Sequence, residues 1–328
     1  MPDYTRHKDL PYTSTSSERQ AFDLYVPSST TTTTDLPSSP PPLCVFIHGQ
    51  WCMANGYVKL RANETKQQPL VSVDRGLCRG RTRVHSSHPP PESKQDWAES
   101  FMPEVVRRLG IPAACLDYRL APDDPHPAQI LDVVSGLMRL TSSTPLQEIE
   151  TSDQLIWDRE RLIVLGHSAG AFMIAEVLLS PPSTISSSSS PFVVAPSLRR
   201  AIKGAIFLAG IYDLPELIQE YPDYIGFVGM AFGQDPQVWA NESPTNWEAP
   251  SEQRGGLTTK MLVLHSKQDE LLSTAQPCLW IKALKRMGVE QGKHLDVDYE
   301  TITGGHDDAL MKSDSALLRR VKEWIDGL

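Results

Sequence analysis

The sequence predicts one α/β domain: a mainly parallel sheet with helices on both faces and a small aromatic-rich cap. Three observations carry that expectation. Short, continuously apolar runs recur along the 328-residue chain, at 43–47, 111–116, 162–165, 205–209 and 261–265. Such runs suit strands buried on both faces of a parallel sheet. Segments with helical patterning alternate with them, as strand–helix–strand crossovers require. No flexible linker separates the motifs into two groups, so the chain reads as a single domain.

Taken in order, residues 1–42 begin polar and Ser/Thr-rich, offer an edge strand at 21–26, and run into a Thr and Pro tract that makes 27–42 a low-complexity loop. The strand at 43–47 ends at His48-Gly49-Gln50-Trp51. Polar loops at the carboxyl ends of such strands are where open α/β sheets bind ligands. Residues 51–95 break the alternation, with eight Lys/Arg against three Asp/Glu and no period. They read as an insertion, either a disordered surface loop or a translated intron. A helix at 97–109, the strand at 111–116, the loop Asp117-Tyr118-Arg119-Leu120-Ala121-Pro122 and a helix at 128–140 restore it. After a strand at 162–165 and an apolar helix at 171–179 comes a second low-complexity loop, 183–191. A strand at 205–209 leads into the aromatic-rich stretch 211–254, the expected cap. A strand at 261–265, a helix at 277–287, a strand at 296–301 and a helix at 315–325 close the chain.

Composition narrows the function. A net charge of −9 gives no basic stripe for nucleic acid, which leaves a small molecule as the expected partner. Five cysteines without a C-x-x-C pair suggest neither a disulfide framework nor a zinc site, and they fit a reducing compartment. The N-terminus shows no basic-then-apolar leader, and no apolar run nears the roughly 20 residues that span a bilayer. A cytoplasmic protein without a membrane partner is the expectation. Neither H-E-x-x-H, nor a P-loop, nor G-x-G-x-x-G is present, so no metal, ATP or dinucleotide cofactor is expected.

The chemistry centres on Gly166-His167-Ser168-Ala169-Gly170, a G-x-S-x-G between a buried strand and an apolar helix. In that context the pentapeptide is a sharp turn that lifts a serine hydroxyl to a helix N-terminus. A serine needs a base, and the base an orienting carboxylate. Asp269, a few residues beyond the strand at 261–265, and His306, in Gly304-Gly305-His306-Asp307, fill those places in the order Ser, Asp, His. Glu270 competes with Asp269, whereas His167 and His265 lie outside the loop that would deliver the base. Oxyanion donors are expected from the backbone of Gly49, Gln50 and Ala169, with Gln50 standing where an H-G-G motif has glycine. His48, Trp51 and Tyr212 are the residues expected to border the substrate.

These motifs resemble the kynurenine formamidase family of α/β-hydrolases. The resemblance covers 43–51 and about 97 to the C-terminus. It rests on G-H-S-A-G-A at 166–171, Gly210-Ile211-Tyr212-Asp213-Leu214, Asn241-Glu242-Ser243-Pro244, Asp269 with Glu270, and His306. It implies a serine hydrolase that converts N-formyl-L-kynurenine to L-kynurenine and formate in tryptophan catabolism, towards NAD. It implies an aryl formamide as substrate, needs no cofactor, and leaves room for a homodimer. Asp117 to Pro122 resembles the hormone-sensitive-lipase-like carboxylesterases equally well, so a general carboxylesterase is the alternative. A non-catalytic binding protein on the same fold is the third reading, favoured only by the interruption after Trp51.

Overall fold

A computed structural model describes residues 3–14, 17–28, 39–52, 99–146, 149, 156–182, 192–253, 257–311 and 315–328. The expected insertion, beyond its first two residues, and the Ser-rich loop lie outside the described residues, as does most of the Thr and Pro tract. Eight strands form one sheet: β1 (Tyr4–Pro11), β2 (Ala21–Pro27), β3 (Leu43–Ile47), β4 (Ala113–Leu116), β5 (Leu162–His167), β6 (Ile202–Leu208), β7 (Lys260–Leu264) and β8 (Leu295–Asp298). Their order is β1-β2-β4-β3-β5-β6-β7-β8. β1/β2 and β2/β4 pair antiparallel, and every other pair is parallel.

The central strands are apolar throughout because the sheet is covered twice. In β3 and β5, Val45, Ile47, Leu162 and Val164 enter one core, while Cys44, Phe46, Ile163 and Leu165 enter the other. The first core is roofed by α2 (Ala128–Thr141), α3 (Ala169–Leu178), α4 (Pro196–Ala201) and α8 (Ala275–Arg286). The second lies under α1 (Met102–Leu109), α9 (Asp308–Met311) and α10 (Ser315–Asp326). α5 (Leu214–Glu220), α6 (Ile225–Phe232) and α7 (Pro236–Glu242) form the aromatic stretch between β6 and β7. Among the described residues no helix is long and apolar enough to cross a membrane.

Two expectations change. The strand expected at the edge, β2, is interior, because β1 pairs along its outer side through a register that shifts between His7 and Leu10. The last strand is shorter than 296–301: it ends at Asp298, whose carboxylate accepts the N–H groups of Glu300 and Thr301 and turns the chain out of the sheet. β3 has β4 on one side and β5 on the other, so the crossovers reverse direction there. The carboxyl ends flanking that reversal carry Gly49 and Ser168, the place where such sheets form clefts.

Candidate active site

Ser168 sits between β5 and α3 with φ 52° and ψ −115°, a conformation costly for a residue with a side chain. The surrounding backbone enforces it. A Cβ on Gly170 would lie 2.1 Å from the carbonyl oxygen of Ile47, so only glycine lets α3 start against the end of β3. The Ser168 N–H is spent on the carbonyl of Leu208, at 2.9 Å. Ala169 opens the helix, and a first-turn N–H has no acceptor within its own helix. The positive end of the helix dipole therefore faces the same point as the serine.

The loop after β3 closes on the elbow from the other side. A Cβ on Gly49 would lie 2.7 Å from the Ser168 Cβ, which places the Gly49 backbone directly against the serine. Gln50 departs from expectation: its N–H points to the Tyr118 hydroxyl at 3.3 Å. That hydroxyl in turn donates to the carbonyl of His48 at 2.6 Å, so Tyr118 clamps both sides of Gly49. Of the three expected oxyanion donors, Gly49 and Ala169 adjoin Ser168, and Gln50 is engaged elsewhere.

After β7, the Asp269 side chain is fully buried and its carboxylate meets the His306 Nδ1 at 2.8 Å. Its other oxygen accepts the N–H groups of Leu271 and Leu272, each at 2.9 Å. Burial works against the carboxylate charge, but the His306 bond and charge and the Leu272 N–H outweigh it and lower its pKa. For His306, burial likewise opposes the charge, yet the bond to Asp269, then the charges of Asp269, Asp307 and Glu270, raise the imidazole above its ordinary value. Glu270, the competitor of Asp269 in the sequence, does different work. Its carboxylate accepts the backbone N–H of His306 at 3.0 Å. The base loop is pinned further by Ser266 donating to the Gly304 carbonyl and by the Gly304 N–H donating to Gln268.

The two histidines set apart in the sequence are braces. His167 Nε2 lies 3.1 Å from the carbonyl of His306, and His265 Nε2 lies 2.9 Å from that of Leu272. Burial first of all lowers both, His167 to about 4, so each stays neutral and donates to its carbonyl. The His167 and His306 rings are 4.7 Å apart, which sets the base beside the elbow.

The expected substrate-bordering residues separate. Trp51 packs edge-on against Phe172 and Phe232, each at 5.0 Å, in an apolar cluster that includes Ala169 beside the serine. His48 is wholly buried, stacked on Tyr118 at 4.2 Å and 3.2 Å from Asp117, so it supports the loop from beneath. Tyr212 is also wholly buried, stacked on Trp280 at 5.1 Å in the sheet core. Neither reaches a surface that a substrate could touch. The cap is tied to the acid loop, with Tyr224 donating to the Leu271 carbonyl and Tyr221 accepting from the Ser273 N–H.

A family model described as alpha/beta hydrolase fold matches residues 93–216. Among solved structures, a truncated carbohydrate esterase from gut microbiota superposes with a TM-score of 0.63 at 14% identity, covering 99% of this chain and 97% of that one. Esterase B from Lactobacillus rhamnosus gives 0.62 at 14%, covering 99% and 86%. At that identity the likeness concerns the fold alone. The chain has the α/β-hydrolase fold, with Ser168, Asp269 and His306 placed in the order Ser, Asp, His.

Sequence relatives are narrower. A kynurenine formamidase of Meyerozyma guilliermondii is 29% identical over 59% of this chain and 65% of its own length. One from Scheffersomyces stipitis is 29% identical over 61% and 75%, and one from Eremothecium gossypii 31% identical over 48% and 58%. The chain thus spans just under two thirds of the length of the Meyerozyma relative. These three sequence relatives are all kynurenine formamidases.

Proposed function

We propose that the protein is a serine hydrolase that cleaves N-formyl-L-kynurenine to L-kynurenine and formate. The observation that carries this reading is the 2.8 Å contact of His306 Nδ1 with buried Asp269, beside an elbow serine held at φ 52°. Asp269 keeps the Nδ1 proton in place and leaves Nε2 as the base. His306 removes the proton from Ser168 as its oxygen attacks the formyl carbon. The oxyanion that forms meets the N–H groups of Gly49 and Ala169 and the start of α3. His306 then gives the proton to the aryl nitrogen, whose lone pair is delocalised and which leaves as kynurenine. Water activated by the same imidazole attacks the formyl-serine, releasing formate and restoring Ser168.

The formyl group needs no acyl pocket beyond a hydrogen atom, whereas the aryl group needs apolar cover. Trp51 and Phe232 beside Ala169, packed over the wholly buried Phe172 and keeping 4% and 8% of their own surface exposed, offer that cover. A cytoplasmic setting accords with the unbridged thiols of Cys44, Cys52 and Cys278 among the described residues. The test compares kcat/KM for N-formylkynurenine with that for p-nitrophenyl acetate and butyrate, in the wild type and in Ser168→Ala. N-formylkynurenine is expected to lead, with Ser168→Ala losing fluorophosphonate labelling and on the order of 10⁴-fold or more in activity. Preference for butyrate with no turnover of N-formylkynurenine would replace this reading with a general carboxylesterase.

A further inference from the structure

Away from Ser168, α3 carries one ionisable residue in a helix that is otherwise apolar and wholly buried. Glu176 is 1% exposed, and its Oε1 has no hydrogen-bond partner. An uncompensated buried carboxylate is among the most costly features a fold can hold. Two other side chains converge on it. His126, from the loop before α2, and Glu242, from the last turn of α7, bring their donor atoms together with that of Glu176, all within 4.8 Å of one another. His126 Nε2 is buried without a hydrogen bond and lies 3.3 Å from Glu242 Oε2. Among the described residues, no lysine or arginine pairs with either carboxylate.

We infer that His126, Glu176 and Glu242 form a binding site for a divalent transition-metal cation of the zinc class. Two carboxylates and a neutral imidazole sum to two negative charges, which one divalent ion neutralises. A mixed imidazole and carboxylate set with no thiolate suits Zn²⁺ and binds Mn²⁺ less tightly, while Mg²⁺ prefers oxygen alone. Three ligands from three separate segments leave a fourth position for water. The imidazole is already oriented: its backbone N–H donates to the Ala231 carbonyl at 2.7 Å, and its ring packs on Phe232 at 4.7 Å. Phe232 is the ring that also packs on Trp51. A cation here would fasten the cap helices α6 and α7 to the helix that carries the nucleophile, a structural part separate from the reaction proposed above. No spacing in the sequence announces it, since each ligand comes from a different element.

The full-length protein, stripped with EDTA, is dialysed against ZnCl₂, MnCl₂ or MgCl₂ and assayed by elemental analysis and thermal unfolding. His167, His306 and Asp307 are a second group able to hold an ion, so His306→Ala serves as the reference that removes it. Zn²⁺ should bind and raise the Tm in both the wild type and His306→Ala, with a smaller response to Mn²⁺ and none to Mg²⁺. Glu176→Gln and Glu242→Gln should each weaken that binding by about 100-fold and abolish the Tm response, since even loss of an outer partner costs 10–100-fold. Without metal, burial and the neighbouring Glu242 push the Glu176 carboxyl well above its ordinary range, so Glu176→Gln, which keeps the shape, should unfold at about the same temperature as the wild type. Zn²⁺ binding and a Tm response that survive unchanged in Glu176→Gln, or that vanish only in His306→Ala, would overturn the site, as would no binding by the wild type.

Discussion

The two sides of the candidate active site are built by different forces. On the nucleophile side, position is set by backbone contacts so close that a single methyl group would collide: Gly170 against Ile47, and Gly49 against Ser168. On the acid–base side, position is set by hydrogen bonds, from the His306 ring to Asp269, from the His306 N–H to Glu270, and from Ser266 to Gly304. Steric placement has no intermediate settings and no dependence on pH. Hydrogen-bonded placement is adjustable, and it shifts pKa values as it positions. The nucleophile side should therefore fail through the fold, and the acid–base side by degrees and with pH.

The largest effect on the fold is expected from Gly170→Ala. The new Cβ would sit 2.1 Å from the Ile47 carbonyl and 2.7 Å from that of His48, and neither acceptor can move without shifting the end of a central strand. Overpacking typically costs about 1–3 kcal/mol, and a clash with fixed strand backbone belongs at the upper end of that range. Gly226→Ala is the matched control. It adds the same methyl in α6, where a Cβ meets nothing within 4 Å, and alanine is the better helix former by up to about 1 kcal/mol. Urea unfolding should show the two substitutions moving the midpoint in opposite directions. A Gly170→Ala protein as stable as the wild type would mean that the elbow is not held by backbone contact.

The same contrast explains what could be read from the sequence. Strands buried on both faces and the turn at 166–170 are local patterns, so β3, β5 and the positions of Ser168, Asp269 and His306 follow from residue type and order. β1 does not, because Tyr4–Pro11 is half-exposed, carries four charged or histidine side chains, and is a strand only by pairing with β2. Direction is the other blind spot. His48 and Tyr212 have the chemistry of substrate-binding residues, and only the path of the backbone turns them into the core. The work of Glu270 and Tyr118 is equally silent, since each serves a backbone group far along the chain.

An intermediate effect, on the acid–base side, is expected from Asp269→Asn. The asparagine keeps the shape but holds the wrong imidazole tautomer, a change worth about 10⁴-fold in kcat in a serine triad. Its pH signature is specific. A general base must be neutral, so kcat/KM should fall as pH drops through the His306 value, which lies above 6.5. Asp269 supplies the leading contributions that raise it, and burial opposes them, so in Asp269→Asn the acid limb should move to lower pH. Stability runs the other way. The raised His306 value contributes stability fully below 6.5 and loses it as pH rises through the folded value; the lowered Asp269 value contributes above 3.8 and loses it as pH falls through the folded value. The pair thus stabilises most between 3.8 and 6.5, on the acid side of the activity range. An acid limb left unchanged in Asp269→Asn would show that the pair does not set the titration of the base.

The smallest effect concerns Tyr212, and it separates packing from binding. Its ring stacks on Trp280 with an interplanar angle of 3°, and its hydroxyl is buried without a hydrogen-bond partner. Burial is accordingly the first cause that pushes the phenol well above its ordinary range. An unsatisfied buried hydroxyl costs about 1–3 kcal/mol relative to water, so removing only that oxygen should help the fold. Tyr212→Phe is expected to be more stable by about 1 kcal/mol, given the retained stacking. It should have unaltered kcat and KM, because a residue with no exposed surface offers a substrate nothing to lose. Trp51, in the apolar cluster beside Ala169, differs in kind, and truncating it should raise KM. A severalfold rise in KM for Tyr212→Phe, with no gain in stability, would place its hydroxyl at the substrate and move the pocket from the cap cluster into the core of the sheet.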